Sequence, residues 1–276
     1  MPNIQYSPPV DRLLSYGDPL DNLKDWSSYL KLGISSQHIQ ELLCLLSDEK
    51  LYQADAEGAE WGVPVHAWRV LGQLQAEAAI TSLVGVLQRW GDDEEWWEWT
   101  NEELPIVFCQ IGVTAIPALT AYLVDIEQPV FPRGTAVRSI KKIAERYPEY
   151  RSQCVTVLTN QLKAFGENDP ELNGYLVVAL VDLNAVESAE AIEQAFEANR
   201  VDETFMGDWD EVQVDLGLKS REQVKRKSPL HNFSEFVNAS LTEDTSSFSS
   251  GSAKAKAKAK RKMQKQSRRQ NRTKKK

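Results

Sequence analysis

Tryptophans and carboxylates are concentrated in one segment of the chain, WGDDEEWWEWTNEELP at positions 90–105. Its aromatic residues include Trp96, Trp97 and Trp99, and its acids include Asp92, Asp93, Glu94 and Glu95. Because aromatic ring faces attract cations and carboxylates complement positive charge, we predict that this segment binds a basic peptide or a cationic ligand. The alternative, which is the simplest use of the apolar area of the rings, is a long loop between repeats whose tryptophans pack over a repeat edge while its acids stay solvated.

The same acids do not predict a metal site. Oxygen ligands must converge on one ion, whereas the consecutive side chains at 92–95 diverge, and the calcium-loop pattern with its glycine is missing. A second acidic group, which lies beside Trp209, is typical of a solvated helix face and comprises Asp208, Asp210, Glu211 and Asp215.

A second group of residues whose side chains are suited to binding or acid–base chemistry follows Pro64 and comprises His66, Trp68 and Arg69. These side chains predict part of a binding site if they line the inner surface of a helical array, but a helical histidine beside tryptophan is more often a packing residue. The sequence contains no GxSxG, HExxH or GxGxxG motif and no phosphate-binding glycine loop. Cys109 lies in an apolar stretch, where a thiol behaves as a small hydrophobe. We therefore predict a non-catalytic protein without cofactor or metal.

The charges are divided between two parts of the chain. Residues 1–217 hold 36 acids and 14 bases, and residues 218–276 hold 4 acids and 18 bases, so their net charges are −22 and +14. The acidic part is expected to attract a protein partner of basic character. The last 24 residues contain 13 bases and no acid, among them Lys254, Lys256, Lys258, Lys260, Arg261, Lys262, Arg268 and Arg269.

Such a tail predicts salt-sensitive phosphate contacts, and hence association with RNA or the ribosome, without choice of base sequence. Two alternatives remain: the tail lies against the acidic part of the chain, or it only aids solubility.

Three distant cysteines, Cys44, Cys109 and Cys154, fit neither a disulfide framework nor a zinc motif. No apolar run approaches the ~18 residues that span a bilayer, so we expect a cytoplasmic protein that does not contact membranes.

The elements that position these residues are predicted by an internal repeat. Residues 70–83 (VLGQLQAEAAITSL) return as 107–119 (VFCQIGVTAIPAL), with Leu74 matched to Ile111 at a spacing of 37. A helical period of roughly 35–45 residues is typical of solenoids of paired helices, in which each pair buries its apolar face on the next. We predict four pairs, at 64–74 with 78–90, 103–111 with 115–123, 134–147 with 150–165, and 169–183 with 188–198.

Local signals place the ends of these helices. Ser36 is expected to cap a helix at 38–46, and Thr114 to cap the helix at 115–123. Thr100 and Glu103 have the spacing of a capping box, whereas Pro105 argues for a later helix start, so these two signals conflict. Residues 1–33, rich in proline and glycine, are expected to form short helices and turns that cap the array. We assign 1–217 to the repeat domain, 218–252 to a serine-rich linker and 253–276 to a disordered tail.

The paired-helix pattern, with Gly72, Ile80, Leu83, Ile116 and Leu119, resembles HEAT-like repeats. More narrowly, segments 60–74 and 101–123 are similar to an uncharacterised bacterial HEAT-like family, over about residues 10–217. The resemblance implies an all-α HEAT-like solenoid. It implies little about function, since this fold serves many binding roles.

We therefore expect an interaction scaffold with a polyanion-binding tail. The resemblance also extends to the HEAT-repeat lyases that attach bilins to phycobiliproteins, so chromophore attachment is one alternative. A nucleic-acid-associated factor that acts through its tail is another. The oligomeric state is not predicted.

Overall fold

The computed structural model describes residues 6–22, 26–55 and 58–224. The chain divides into two compact units, and the described residues belong to the first, Met1–Val224. Within them every regular element is helical. The α-helices are α1 (Ser27–Leu30), α2 (Ile39–Ser47), α3 (Glu49–Tyr52), α4 (Val63–Gln73), α5 (Ile80–Trp90), α6 (Trp97–Ile111), α7 (Ile116–Val124), α8 (Val130–Arg146), α9 (Arg151–Lys163), α10 (Pro170–Asp182), α11 (Ala189–Glu197) and α12 (Trp209–Asp215).

The eight helices of the four predicted pairs are present, as α4 and α5, α6 and α7, α8 and α9, and α10 and α11. Pro64 and Pro117 lie in the first turns of α4 and α7, where a missing N–H removes no helical hydrogen bond. Asp169 caps α10 as predicted, since its side chain accepts a hydrogen bond from the Glu171 backbone N–H at 2.8 Å.

The paired helices pack in two layers. Helices α4, α6, α8 and α10 lie side by side in the first layer, and α5, α7, α9 and α11 form the second. Three second-layer helices also pack against the next helix of the first layer, α5 against α6, α7 against α8 and α9 against α10. The core between the layers is filled by buried aliphatic and aromatic side chains such as Leu87, Phe108 and Ile140.

The helices of the first layer run parallel to one another. The Trp97 ring contacts the Phe131 ring, and the Thr135 hydroxyl donates to the Asn101 side-chain oxygen at 3.0 Å, so residue numbers rise together along α6 and α8. The α8–α10 contacts follow the same order, from Arg138 with Tyr175 to Lys141 with Asp182. The N-terminal ends of α6, α8 and α10 therefore lie at the same side of the layer.

Several predicted helix ends are wrong. Helix α6 begins at Trp97, so Pro105 lies inside it, and Thr100 bonds the Trp97 carbonyl instead of capping. Thr114 makes no capping hydrogen bond, because α7 follows a 3-10 turn at Val113–Ala115 that enters from Gly112 at φ 108°. Helix α2 likewise follows a 3-10 turn, and Ser35, not Ser36, precedes it as part of a capping box.

Flanking segments cover both edges of the first layer. Before α4, a 3-10 helix (Val10–Ser15) and α1 pack against α4. After α10, the Asp202 N–H donates to the Pro170 carbonyl at 3.1 Å, and the Phe205 ring lies against the Tyr175 ring. The end helices of the layer are thereby shielded on the sides where no further repeat follows.

No helix in the described ranges is by itself long and apolar enough to cross a bilayer. Helices α6 and α7 meet that test only as a pair, and their axes are bent by 115° at Gly112. Leu104, Phe108 and Leu119 of this pair are buried in the core, whereas Trp97, Ile106 and Val124 are exposed.

Candidate functional site

The tryptophans predicted to bind a ligand divide between the core and the surface. Trp96 and Trp99 are 1% and 4% exposed, and the Trp96 indole N–H donates to the Tyr52 carbonyl at 3.0 Å. Rings of Trp61 and Trp68 also contact Trp96. Trp96 and Trp99 therefore have the packing role that was the alternative to ligand binding. Trp97 is 38% exposed and is the member of the group that a partner can reach.

The acids beside these tryptophans lie in the turn that precedes α6. Asp92 and Glu94 are exposed, whereas Asp93 and Glu95 are half-buried. The Asp93 carboxylate accepts a hydrogen bond from the Glu95 backbone N–H at 2.9 Å, so it stabilises the turn. Asp92 lies close enough to Tyr122 to raise the pKa of its phenol, after the larger effect of burial and that of Asp125. The turn thus lies near the end of α7.

Arg69 and Trp68 meet a carboxylate that the sequence did not link to them. Both side chains are fully buried, and the Glu103 carboxylate accepts from Arg69 Nε at 2.8 Å and from Trp68 Nε1 at 3.0 Å. Desolvation lowers the pKa of Arg69, but the hydrogen bond and charge of Glu103 outweigh it, so the net pKa is raised. Helices α4 and α6 are joined by this ion pair.

The same arginine also holds the N-terminal segment. Arg69 Nη1 donates to the Pro19 carbonyl and to the Tyr29 hydroxyl, each at 3.0 Å. The ring of Trp26 lies 5.3 Å from the guanidinium carbon and that of Trp99 lies 5.8 Å from it. Every part of the guanidinium thus faces a protein group that compensates its burial.

His66 is a packing residue in the same buried group. Its Nδ1 is 2.7 Å from the Tyr29 hydroxyl and its Nε2 is 3.0 Å from the Gly17 carbonyl. Burial lowers its pKa to about 4, although the hydrogen bond to Gly17 opposes the shift. His66, Trp68 and Arg69 lie in the core, so the expectation that they line an open inner surface is wrong. A histidine with both ring nitrogens occupied inside the core cannot act as a base for an external substrate.

Two of the cysteines in the described residues are kept protonated by burial. Burial raises the pKa of Cys109 and raises that of Cys154 to about 11, so both thiols are protonated near neutral pH. Cys44, Cys109 and Cys154 are all free thiols. Within the described ranges, no three or more His, Cys, Asp or Glu side chains are grouped so that they could hold a metal ion.

Trp97 is the first residue of an exposed aromatic surface that the sequence did not reveal. Its ring lies 6.3 Å from that of Phe131, which is 46% exposed at the start of α8. One and two turns further along α8 are Thr135 and Arg138, and Arg138 Nη2 is 3.5 Å from the Thr135 hydroxyl. Contacts thus continue from the first ring pair across α8 towards α10.

A second ring pair lies on the α10 side of Arg138. The Arg138 guanidinium carbon is 5.8 Å from the centroid of Tyr175, whose ring lies 4.8 Å from that of Phe205. Phe205 is 39% exposed. We define the four residues Trp97, Phe131, Tyr175 and Phe205 as the aromatic strip. It crosses three consecutive helices of the first layer through an unbroken series of contacts.

The strip lies beside three acidic loops. Loops 91–96, 125–129 and 164–169 precede α6, α8 and α10, and together they hold eight carboxylates and no lysine or arginine. Because these helices are parallel, the three loops lie at the same side of the layer, which we call the acidic end. The missed signal in the sequence was the recurrence of acids before three of the four first-layer helices.

The other predicted site residues, in the basic tail, lie outside the described residues. They are Lys254, Lys256, Lys258, Lys260, Arg261, Lys262, Arg268 and Arg269. Most of the predicted linker, from residue 225 onward, lies there as well.

Comparison of the chain with protein-family models, with curated proteins and with solved structures finds no match.

Proposed function

We propose that the protein is a non-catalytic interaction scaffold built on a HEAT-like solenoid, and that its acidic end binds a protein partner of basic character. The solenoid assignment is supported by the repeat of 36–37 residues and by the packing of each helix pair on the next. Such repeats present extended surfaces made by several units in succession.

The aromatic strip is the observation that carries this proposal. Trp97, Phe131 and Phe205 are large apolar side chains that remain exposed, although each has a neighbouring ring to pack against. Aromatic residues are enriched at the energetic centres of protein interfaces, because a single ring contributes a large contact area. Carboxylates in the flanking loops favour a positively charged partner and accelerate its association.

The basic tail supports a second part of the proposal. Its 13 lysines and arginines in 24 residues favour salt-sensitive contacts with RNA, the ribosome or another polyanion. The acidic end repels such polyanions, so the two activities are assigned to different parts of the chain.

Charge neutralisation at the acidic end tests the scaffold proposal. Three exposed acids of its loops are changed in one full-length variant, Asp92→Asn with Glu127→Gln and Glu167→Gln. A matched control neutralises three exposed acids at the opposite ends of the helices, Glu77→Gln with Glu149→Gln and Glu190→Gln. Both variants have the same net charge.

Partners are cross-linked and purified from nuclease-treated lysate with the wild type and both variants, and each recovered protein is quantified. We expect basic partners to be depleted from the loop variant and retained by the control. Equal recovery with the two variants would contradict a role for the acidic end. Nucleic acid recovered without nuclease should depend on the tail and be the same for both variants.

A further inference from the structure

We propose that the acidic end recognises a basic peptide segment of another protein, which lies across the aromatic strip with one apolar side chain on the Trp97–Phe131 pair and another on the Tyr175–Phe205 pair. This inference rests on the scaffold function proposed above. Beyond that function, the inference specifies the ligand, which is a peptide rich in lysine and arginine that contains two apolar anchor side chains.

The two ring pairs are separated by a distance that suits a short peptide. The Tyr175 ring lies against Gly134, which follows Phe131 by three residues on α8, so the two pairs are offset by about 5 Å along that helix at 1.5 Å per residue. Neighbouring helices pack about 8–10 Å apart, so the pairs lie roughly 10–15 Å from each other across the layer. An extended peptide covers that distance in about three to five residues.

Arg138 lies between the two pairs and has donor capacity that the described part of the chain does not use. Its Nε is buried without an acceptor, and Nη2 has the Thr135 hydroxyl only at 3.5 Å. A peptide that crosses α8 from one ring pair to the other carries backbone carbonyls over this guanidinium. We assign Arg138 a role in positioning the ligand backbone, because a guanidinium donates strongly to carbonyl oxygens.

The charges around the aromatic strip determine which sign of charge the ligand must carry. Glu102 lies near Arg138, and Glu171 accepts a hydrogen bond from the Tyr175 hydroxyl at 3.0 Å. With the eight carboxylates of the acidic end, these acids surround the strip with negative charge. A peptide with acidic flanks, or a nucleic acid, is repelled by this surface, whereas basic flanks are attracted.

Three synthetic peptides test the inference against the full-length protein. The probe is a fluorescein-labelled peptide with two leucines spaced to reach both ring pairs and with lysines at its other positions. One control peptide replaces the leucines by serine, and the other replaces the lysines by glutamate. Fluorescence anisotropy at physiological ionic strength gives each dissociation constant, and a single-stranded RNA of similar length serves as a competitor.

Substitutions at the two ends of the strip are compared with a substitution elsewhere. Trp97→Ala and Phe205→Ala should each weaken binding of the leucine–lysine peptide about tenfold, since each removes one anchor contact. Tyr150→Ala, which removes an exposed ring at the opposite ends of the helices, should change it less than about twofold. Unfolding curves of the variants establish that each is folded, and Trp97→Ala alone suffices if Phe205→Ala disturbs the edge of α10.

The variant Arg138→Gln distinguishes shape recognition from simple charge attraction. Removing a positive charge strengthens the binding of a basic peptide if only charge matters. If Arg138 donates to the peptide backbone, the same change weakens binding several-fold. Weaker binding in Arg138→Gln and in both strip variants would support the inference.

Equal binding of the serine–lysine and leucine–lysine peptides, unaffected by Trp97→Ala and Phe205→Ala, would overturn the inference. So would RNA that displaces the probe in a manner dependent on Trp97. Either result leaves the scaffold proposal intact as long as natural partners are lost from the acidic-loop variant. Loss of the scaffold proposal is recognised separately, by recovery of the same partners with the loop variant and its control.

Discussion

Replacing Glu103 by leucine tests whether the Arg69–Glu103 ion pair is a main support of the fold. Arg69 has a fully buried side chain, and that of Glu103 is 8% exposed. Without the carboxylate, the guanidinium loses its counter-charge and two of its hydrogen bonds, while the bonds to Pro19 and Tyr29 remain. The perturbation therefore leaves a positive charge in the core without an opposite charge beside it.

Breaking a buried ion pair by removing one partner costs about 3–5 kcal/mol, because the desolvated charge that remains is uncompensated. A stability of about 5–15 kcal/mol is typical of a domain, so this is a large fraction of the total. With a urea dependence of about 2 kcal/mol per molar, we expect the unfolding midpoint of Glu103→Leu to fall by roughly 2 M.

Urea unfolding followed by circular dichroism measures this change. Two comparisons make the result interpretable. Asp182→Asn removes one partner of the partly exposed Lys141–Asp182 pair and should cost less than about 1 kcal/mol. The double variant Arg69→Met with Glu103→Leu removes the buried charge altogether and should be more stable than Glu103→Leu alone. If Glu103→Leu and Asp182→Asn prove equally mild, water reaches Arg69 and the argument from burial is refuted.

Three further predictions follow from the described core. Burial lowers the pKa of His66 from 6.5 to about 4, so the contribution of the neutral imidazole to stability is fully present above pH 6.5 and falls by about 3 kcal/mol as the pH falls from 6.5 to 4. Urea unfolding curves should therefore show a larger loss of stability over this interval for the wild type than for His66→Gln. Equal losses in the two proteins would exclude a buried neutral imidazole. Gly134→Ala should destabilise the protein by about 1–3 kcal/mol, because the new Cβ would lie 2.7 Å from the Tyr175 ring. Gly85→Ala, whose Cβ meets only ordinary contacts, should stabilise the protein by about 0.5–1 kcal/mol. Thermal melting compares the two variants, and a change of stability with the same sign in both would count against the packing argument. Burial raises the pKa of Cys154 to about 11, so mass spectrometry should show its alkylation by iodoacetamide only after addition of urea; rapid modification of the native protein at pH 8 would show that the thiol is accessible.

The helix pairs were predictable because their determinants are local. Asp169 followed by Pro170 defines the start of α10 without reference to any other part of the chain. The recurrence of apolar positions at 36–37 residues predicts pairing, since each unit must bury the same face on the next.

The start of α6 was not predictable from local signals. Pro105 removes the N–H that would bond the Asn101 carbonyl, and proline inside a helix costs about 3 kcal/mol. Burial of Trp99, Leu104 and Phe108 offsets this free-energy cost, because α6 packs between α4 and α8. Tertiary packing overrides the local preference here, and a single sequence contains no direct measure of it.

The buried polar group left a partial signal in the sequence. Arg69 and Glu103 are 34 residues apart, and Tyr29 and His66 are 37 apart, close to the repeat length of 36–37. Side chains one repeat apart lie on neighbouring helices, so opposite charges at that spacing favour an ion pair. The choice of Glu103 over Glu102 could not be made, because it depends on which face of α6 meets α4.

The acidity of the loops has two sources, and only one of them is structural. Asp93 and Asp169 accept hydrogen bonds from backbone N–H groups near the starts of helices, where negative charge also interacts favourably with the helix dipole. The exposed carboxylates of Glu127 and Glu167 form no hydrogen bond or ion pair with any described residue. They add like charge to an end that is already negative, which opposes folding through repulsion. Hydrogen bonding therefore gives Asp93 and Asp169 a structural role that Glu127 and Glu167 lack, and the proposed attraction of a basic ligand to the neighbouring aromatic strip would account for these two exposed acids.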